Sequence, residues 1–308
     1  MANNILITGV AGFIGRYVAR YFLELGWSVI GIDSSASENA PLASLAAYYT
    51  LRLPDSKLNE ILQKHQPDVF IHCAGRAAVS LSMSEPTPDF YANTVVTYEV
   101  LNALRLNASH CRFIYLSSAA VYGNPDSLPI SETQTPAPVS PYGFHKLQSE
   151  VLCREFTRVY GLATASVRIF SAYGPGLRRQ VLWDICQKVI TQKTLMLQGT
   201  GQESRDFIHA LDIAKAFRVI ACEAPMQGEV YNLASGQEVT VRKLATLVLS
   251  SLESNCTPQF DGVVPSGTPL NWQADVSKLK ALGFTTSVPL VRGVNTFANW
   301  CLAELVGV

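Results

Sequence analysis

Between Ile5 and Gly15 the chain reads ILITGVAGFIG: an apolar run stops at Thr8, three glycines follow at Gly9, Gly12 and Gly15, and a helix-like pattern begins. This order predicts a strand, a tight turn and a helix whose N-terminus faces an anion. Gly9 permits the turn, Gly12 lets the backbone approach a pyrophosphate, and Gly15 lets the helix pack close to the strand. A glycine trio also occurs in ordinary turns, so the residues around it decide. A second apolar run, 27–32, ends at Asp33, eighteen residues after Gly15. A carboxylate at that place accepts both ribose hydroxyls of an adenosine and repels a 2′-phosphate. No arginine follows it, the chain continuing Ser34-Ser35-Ala36. The expected cofactor is NAD rather than NADP; the plainer alternative is a structural turn and a helix-capping aspartate.

Strand-like and helix-like segments alternate through the first half. Residues 5–8, 28–32, 69–73, 113–117 and 165–170 read as strands, with 48–53 a weaker one. Residues 15–25, 57–64, 90–106 and 141–160 read as helices. The alternation predicts an α/β fold with a doubly wound parallel sheet. Such sheets bind ligands at the carboxyl ends of their strands, where Thr8, Asp33, Ala74, Ser118 and Ser171 fall. After Ser171 glycine and proline become frequent in 174–204 and 255–270, yet 229–233 reads as another strand. The expected division is a cofactor-binding part over 1–170, rejoined by 205–235, and a substrate lobe mainly over 171–308.

Composition excludes several classes. A chain of 308 residues with 48% hydrophobic and 16% charged residues supports a sizeable core rather than disorder. The formal net charge is zero and no Lys/Arg run exists, so a nucleic-acid partner has no electrostatic support. The first apolar segment has no basic flank, is broken by glycines and is too short to span a bilayer. No membrane association is expected, and the cytoplasm is the expected compartment. The seven cysteines (73, 111, 153, 186, 222, 256 and 301) are scattered without CxxC spacing. They read as reduced thiols, and with the five histidines they form no recognisable metal-ligand pattern.

The chemistry-bearing residues come in two groups. Ser117-Ser118-Ala119-Ala120-Val121-Tyr122-Gly123 closes a strand, and Ser140-Pro141-Tyr142-Gly143-Phe144-His145-Lys146 opens a helix, proline suiting its first turn. Tyr142 and Lys146 are four apart and share a helix face. The ammonium favours phenolate, so Tyr142 is the candidate general base and acid. Ser118 is placed to hydrogen-bond a reacting oxygen, and Lys146 to hold a nicotinamide ribose. Each group also occurs by chance in amphipathic helices and polar loops.

Together GVAGFIG, SSAAVYG and YGFHK resemble the extended short-chain dehydrogenase/reductase family, in its sugar-nucleotide epimerase/dehydratase branch. The resemblance covers almost the whole chain. It includes Pro86 spaced to Asn93, the run RIFSAYGPG from Arg168 and GTGQESRDFIHALDIAKAF from Gly199. It implies a Rossmann-like fold and NAD held by Gly9, Gly12, Phe13, Ile14, Gly15 and Asp33. Ala74, Gly75, Arg76, Ser117 and Phe170 would lie along the cofactor, and Asn93 would steady the site through its backbone. Ser118, Tyr142 and Lys146 match the catalytic triad. Val79 and Ser80 would lie near the sugar, and Ser171 and Arg205 near a nucleotide diphosphate, with UDP the expected nucleotide. Arg205 could equally be an exposed arginine without a ligand.

Subclass and departures follow from the same comparison. Dehydratase-like members carry acids after the serine; Ala119 and Ala120 carry none, which favours 4-epimerisation through a 4-keto sugar. A keto-sugar or other carbonyl reductase uses the same triad and remains the alternative. A dinucleotide-sensing protein without catalysis is a third, although such proteins commonly lose the tyrosine or lysine. The family often has an acid near the adenine, where this chain reads Thr50-Leu51-Arg52-Leu53. It has asparagine where Ser171 stands, and an Arg-x-Gly-Asp-Pro pattern where 265–269 read Pro-Ser-Gly-Thr-Pro. Arg178 and Arg179 either compensate or form a solvated pair. Many relatives dimerise through helices matching 90–106 and 141–160, so a homodimer is expected; Val95, Val96, Val100 and Leu101 suit that interface or ordinary core.

Overall fold

A computed structural model describes residues 3–36, 43–192, 195–263 and 270–307. The apolar runs become six successive strands: β1 (Asn4–Thr8), β2 (Ser28–Asp33), β3 (Ala47–Thr50), β4 (Val69–His72), β5 (Arg112–Ser118) and β6 (Thr164–Ile169). Three short strands follow, β7 (Ser171–Tyr173), β8 (Met196–Leu197) and β9 (Ser204–His209), then β10 (Gln227–Leu233), β11 (Glu238–Thr240) and β12 (Gln259–Phe260). Seven of them form one sheet in the order β10-β6-β5-β4-β1-β2-β3, and every neighbouring pair is parallel. All four residues of β4 and all six of β6 are buried, as expected of strands covered on both faces.

The covering helices explain that burial. On one face α1 (Phe13–Glu24) packs against α8 (Ala210–Glu223), with Phe22, Ile114 and Phe217 in the shared core. On the other lie α2 (Lys57–His65), α5 (Val96–Asn107) and α6 (Pro141–Tyr160), closing over Phe70, Phe113 and Phe156. The chain order reverses between β1 and β4, which opens a crevice at the carboxyl ends of the strands. Two short helices, α3 (Val79–Ser84) and α4 (Pro86–Phe90), follow β4 along that crevice.

A second sheet, β11-β9-β7, stands beside the crevice. Its core comes from α7 (Gln180–Gln192), α9 (Val241–Ser251) and α11 (Leu290–Val306), with Tyr173, Phe207 and Phe297 buried between them. The four-residue α10 (Ser277–Lys280) lies beyond it in sequence. Thus β9 belongs to the second sheet, whereas α8 and β10, which follow it, return to the first.

One local difference from the sequence reading lies next to the crevice. The helix expected over 90–106 is instead α4, a π-helical turn at Tyr91–Val95, and α5. Of the residues considered for an interface, Val96, Val100 and Leu101 are core and Val95 is half-buried. Among the described residues no helix is long and apolar enough to cross a membrane.

Candidate active site

The glycine turn is built by close approach. Gly9 adopts φ +68°, and a side-chain carbon there would come within 2.8 Å of the Ala74 nitrogen. A carbon on Gly15 would stand 2.1 Å from the Gly9 carbonyl oxygen. Gly12 caps α1 without a side-chain hydrogen bond, and the first turn holds no acid. The leading N–H groups of α1 are therefore available to a negatively charged ligand. Phe13, Ile14 and Gly15 line a cavity of about 930 Å³ at this helix end.

A smaller adjoining cavity of about 310 Å³ is bounded by Asp33, Ala74, Gly75 and Arg76. Asp33 is held by two backbone donors: the Ala11 N–H reaches Oδ2 at 2.9 Å and the Ser35 N–H reaches Oδ1 at 3.0 Å. Arg52, just beyond β3, lines the same cavity. Arg76 borders both cavities and is paired with Glu85 at 2.7 Å. The uncapped helix end, the cradle that a Cβ would fill and an acceptor at Asp33 fit a dinucleotide.

Ser118, Tyr142 and Lys146 share the larger cavity. Ser118 ends β5, and its Oγ accepts from the Ala120 N–H at 3.2 Å, which caps the short 3₁₀ turn Ala119–Tyr122. Ser140 caps α6 by accepting from the Gly143 N–H at 3.3 Å, with Pro141 in the first turn. The Tyr142 N–H donates to Ser82 Oγ at 3.1 Å, and the Ser118 hydroxyl favours the ionised form of its phenol. Lys146 Nζ donates to the Leu116 carbonyl at 2.8 Å and lies 4.9 Å from the Tyr115 ring centre and 5.8 Å from that of Tyr142.

Electrostatics depart from the simple expectation of a readily formed phenolate. Burial pushes the Tyr142 phenol up to about 12, against the opposing pull of Ser118 and the Arg179 charge. Burial also pulls Lys146 down to about 8, although Asp89, Cys73 and Glu150 favour its charge. In the protein alone desolvation outweighs the groups that favour each charge.

The neighbouring residues divide clearly. Ser117, Phe170, Ser171, Val79, Arg179 and Arg205 line the larger cavity. Ser117 spends its hydroxyl on Glu150 Oε1 at 2.5 Å. Arg179 Nη1 donates to the Ala77 carbonyl at 2.5 Å, and Arg205 Nη1 to the carbonyls of Ser204 and Leu270 at 2.6 and 3.0 Å. The Arg205 guanidinium also lies 5.4 Å from the Trp272 ring centre. Three expected residues are elsewhere. Arg178 turns outward to Glu304 at 2.5 Å, and Ser80 is exposed on α3. Asn93 is buried behind the cavities, its carbonyl accepting from Thr97 Oγ1 at 2.5 Å and Ser149 Oγ at 3.2 Å. The 265–269 segment, Pro265 included, lies outside the described residues.

Sequence reasoning missed Trp183, Trp272 and the Asp184–Lys188 ion pair of 2.9 Å, all on the cavity wall. The i,i+4 spacing on α7 could have found the pair; nothing local marks Trp272. It also passed over Arg52 as a missing acid rather than as a cation beside Asp33.

Comparison with known proteins agrees with this geometry. Residues 5–234 match the NAD dependent epimerase/dehydratase family. The UDP-glucose 4-epimerase of Corynebacterium glutamicum is 31% identical over 261 residues, covering 79% of each chain. The solved UDP-glucose 4-epimerase of Thermotoga maritima, with UDP-glucose, aligns at a TM-score of 0.89 and 27% identity, over 98% of this chain and 99% of that one. The UDP-glucuronic acid 4-epimerase of Bacillus cereus, in complex with UDP-glucuronic acid and NAD, gives 0.89 and 26%, over 98% and 99%.

Proposed function

The chain belongs to the NAD dependent epimerase/dehydratase family, and from that membership we propose that it is a 4-epimerase of UDP-linked sugars, with Ser118, Tyr142 and Lys146 as its catalytic residues. One observation carries this: the three side chains share a single cavity with the uncapped N-terminus of α1. Alanines at 119 and 120 leave no acid–base pair beside Ser118 for elimination of water.

Bound NAD would supply the two-electron chemistry, accepting hydride from the sugar carbon and returning it to the opposite face. Tyr142 takes the hydroxyl proton as the C–O bond becomes C=O, and gives it back when the alcohol re-forms. Ser118 donates a hydrogen bond to that oxygen. Lys146 holds the ribose and favours the phenolate. Gly9, Gly12, Phe13, Ile14 and Gly15 seat the pyrophosphate, and Asp33 takes the adenosine ribose. Ala74, Gly75, Arg76, Ser117 and Phe170 complete the cofactor channel, which Asn93 braces through its carbonyl. On the substrate side Val79 and Ser171 bound the sugar and diphosphate. Arg205 grips the diphosphate, for which a guanidinium fork is suited. Arg179, rather than Arg178, supplies the second cation. The substrate part comprises the second sheet with α7, α9 and α11; the cofactor part runs to Phe170 and adds α8 and β10.

A homodimer accompanies this reading. Tyr91 and Tyr98 near α5, and Phe144, Val151 and Val159 on α6, are exposed apolar residues at helical spacing. A cytoplasmic location suits the buried thiols Cys111, Cys153, Cys186 and Cys301.

The test is incubation with catalytic NAD⁺ and a panel of UDP-, GDP- and dTDP-sugars, separating the products while absorbance reports reduced nicotinamide. A new 4-epimer from a UDP-sugar, without net reduced cofactor, is the expected outcome. Stoichiometric cofactor consumption would replace the epimerase with a reductase.

A further inference from the structure

Ser118 stands on β5 and Tyr142 on α6, so the chemistry proposed above depends on how these two elements are held together. Three ties join them along one buried stripe of α6, in which Tyr142, Lys146 and Glu150 stand four residues apart. At the outer end Gly143 touches the turn after Ser118: a side-chain carbon there would come within 2.6 Å of the Ala120 carbonyl oxygen. Lys146 then reaches the Leu116 carbonyl at 2.8 Å. The inner tie is Glu150, about two helical turns or ~10 Å beyond Gly143 along the axis.

Glu150 is 1% exposed and Arg168 4%. Glu150 Oε1 accepts from Ser117 Oγ at 2.5 Å and from Arg168 Nε at 2.9 Å, and Oε2 accepts from Arg168 Nη2 at 2.7 Å. Ser117 and Arg168 are direct partners across the β5–β6 ladder, in the row before Ser118 and Ile169. One carboxylate thus holds a helix and two neighbouring strands. Arg168 carries the tie to the other side of Ser118. Its guanidinium lies 4.6 Å from the ring centre of Tyr122, which ends the turn that Ser118 caps. The Tyr122 hydroxyl is fixed in turn, donating to Asn232 Oδ1 on β10 at 2.7 Å. Ser118 is therefore bracketed by Ser117 and Tyr122, and both lean on the same ion pair.

Stability alone is a poor reason for such a pair. Two charges at this depth lose their hydration, and apolar side chains of similar volume often serve as well or better. What an apolar pair lacks is direction, because forked hydrogen bonds fix angle as well as distance. We infer that Glu150 and Arg168 are positioning residues, which set the separation of Ser118 from Tyr142 by fixing α6 against the end of β5. The Gly143 contact alone would let the helix pivot; a second anchor two turns away stops it. The catalytic use of that separation rests on the function proposed above; the clamp itself does not.

The test is Glu150→Leu with Arg168→Met, which removes both charges together and leaves no lone buried ion. Crystal structures of parent and double variant with NAD⁺ are compared, and both are assayed on the same UDP-sugar. The Ser118 Oγ to Tyr142 Oη separation should change by about 1 Å and kcat should fall about 10²-fold, the cost of a misplacement on that scale. KM and NAD affinity should hold, since neither residue is offered to a ligand. A pair serving stability alone would leave the separation and kcat of the folded variant as they were, and either result overturns the inference. So does a loss carried by KM or by NAD affinity instead of kcat. If the double variant does not fold, the same readings are taken on Ser117→Ala, which keeps the ion pair and cuts only its bond to β5. There kcat should fall about tenfold, the scale of one hydrogen bond, with the separation changed; an unmoved separation overturns the inference. If the parent turns over no UDP-sugar, the epimerase reading fails, and the separation alone decides the clamp.

Discussion

Tyr142 and Lys146 face the same cost from opposite chemistry, since burial disfavours a phenolate and an ammonium alike. If Tyr142 moves the proton, Tyr142→Phe should lose about 10²-fold or more in turnover, the scale of a general acid–base group. NAD binding, followed by fluorescence or calorimetry, should survive. Lys146 also affects stability. Its folded pKa of about 8 lies below the ordinary 10.5. The unfolded chain therefore binds the extra proton between these values, and stability rises with pH across that window. Below about 8 the burial cost is present in full. Lys146→Met should accordingly raise the unfolding free energy at pH 7 by up to about 3 kcal/mol, with the gain shrinking toward pH 10.5, while activity is lost. Thermal melts at several pH values measure this. At the other cavity, Arg52 stands with Asp33. Removing the carboxylate in Asp33→Ser should weaken NAD binding and shift preference toward NADP, whose 2′-phosphate can then meet Arg52; comparing the two dissociation constants decides it. The glycines, Asp33, Tyr142 and Lys146 are legible because short spacings report turn and helix geometry. Arg52 and Trp272 are not, because their neighbours in the cavity are remote in sequence.

At the scale of elements, legibility follows length and burial. The strands of the large sheet are mostly continuous apolar runs, and α6 begins and ends at the residues its proline start and final glycine suggest, with Gly161 in the left-handed region at φ +72°. The three-residue β7 and β11 carry too little periodicity to be read, and in β9 the sequence SRDFIH mixes charges with apolar residues. There Asp206 is buried because it accepts from the Ser235 N–H at 2.8 Å, the Gly236 N–H at 3.0 Å and the Ala274 N–H at 3.1 Å. Tertiary hydrogen bonds that no local pattern announces make this strand possible. The apolar face of α6 shows the converse limit, since Phe144, Val151 and Val159 form an exposed stripe. If two copies meet there, Tyr98→Glu with Val151→Glu should yield a folded monomer by sedimentation velocity, whereas the parent sediments as a dimer.

At the scale of the whole molecule, the path of the chain matters more than either sheet. Phe170 joins β6 to β7, His209 caps α8 by accepting the Leu211 N–H at 3.2 Å as β9 ends, and β10 is followed closely by β11. The first and last junctions carry the backbone from one sheet to the other within a few residues, and the middle one carries it from the second sheet into a helix that covers the first. Side chains tie the same boundary: Tyr17 OH donates to the Pro175 carbonyl at 2.9 Å, and Arg179 to that of Ala77. The sequence shows the return of β10 but hides how often the chain crosses, because crossing is a property of three-dimensional order. One consequence is evolutionary. A chain cut after Phe170 would lose β10 and bare the ladder of β6, an edge open to pairing with other chains. The two halves are therefore not interchangeable cassettes. A lineage built on this path acquires new ligands by rewriting the cavity wall residue by residue, not by exchanging one half for another.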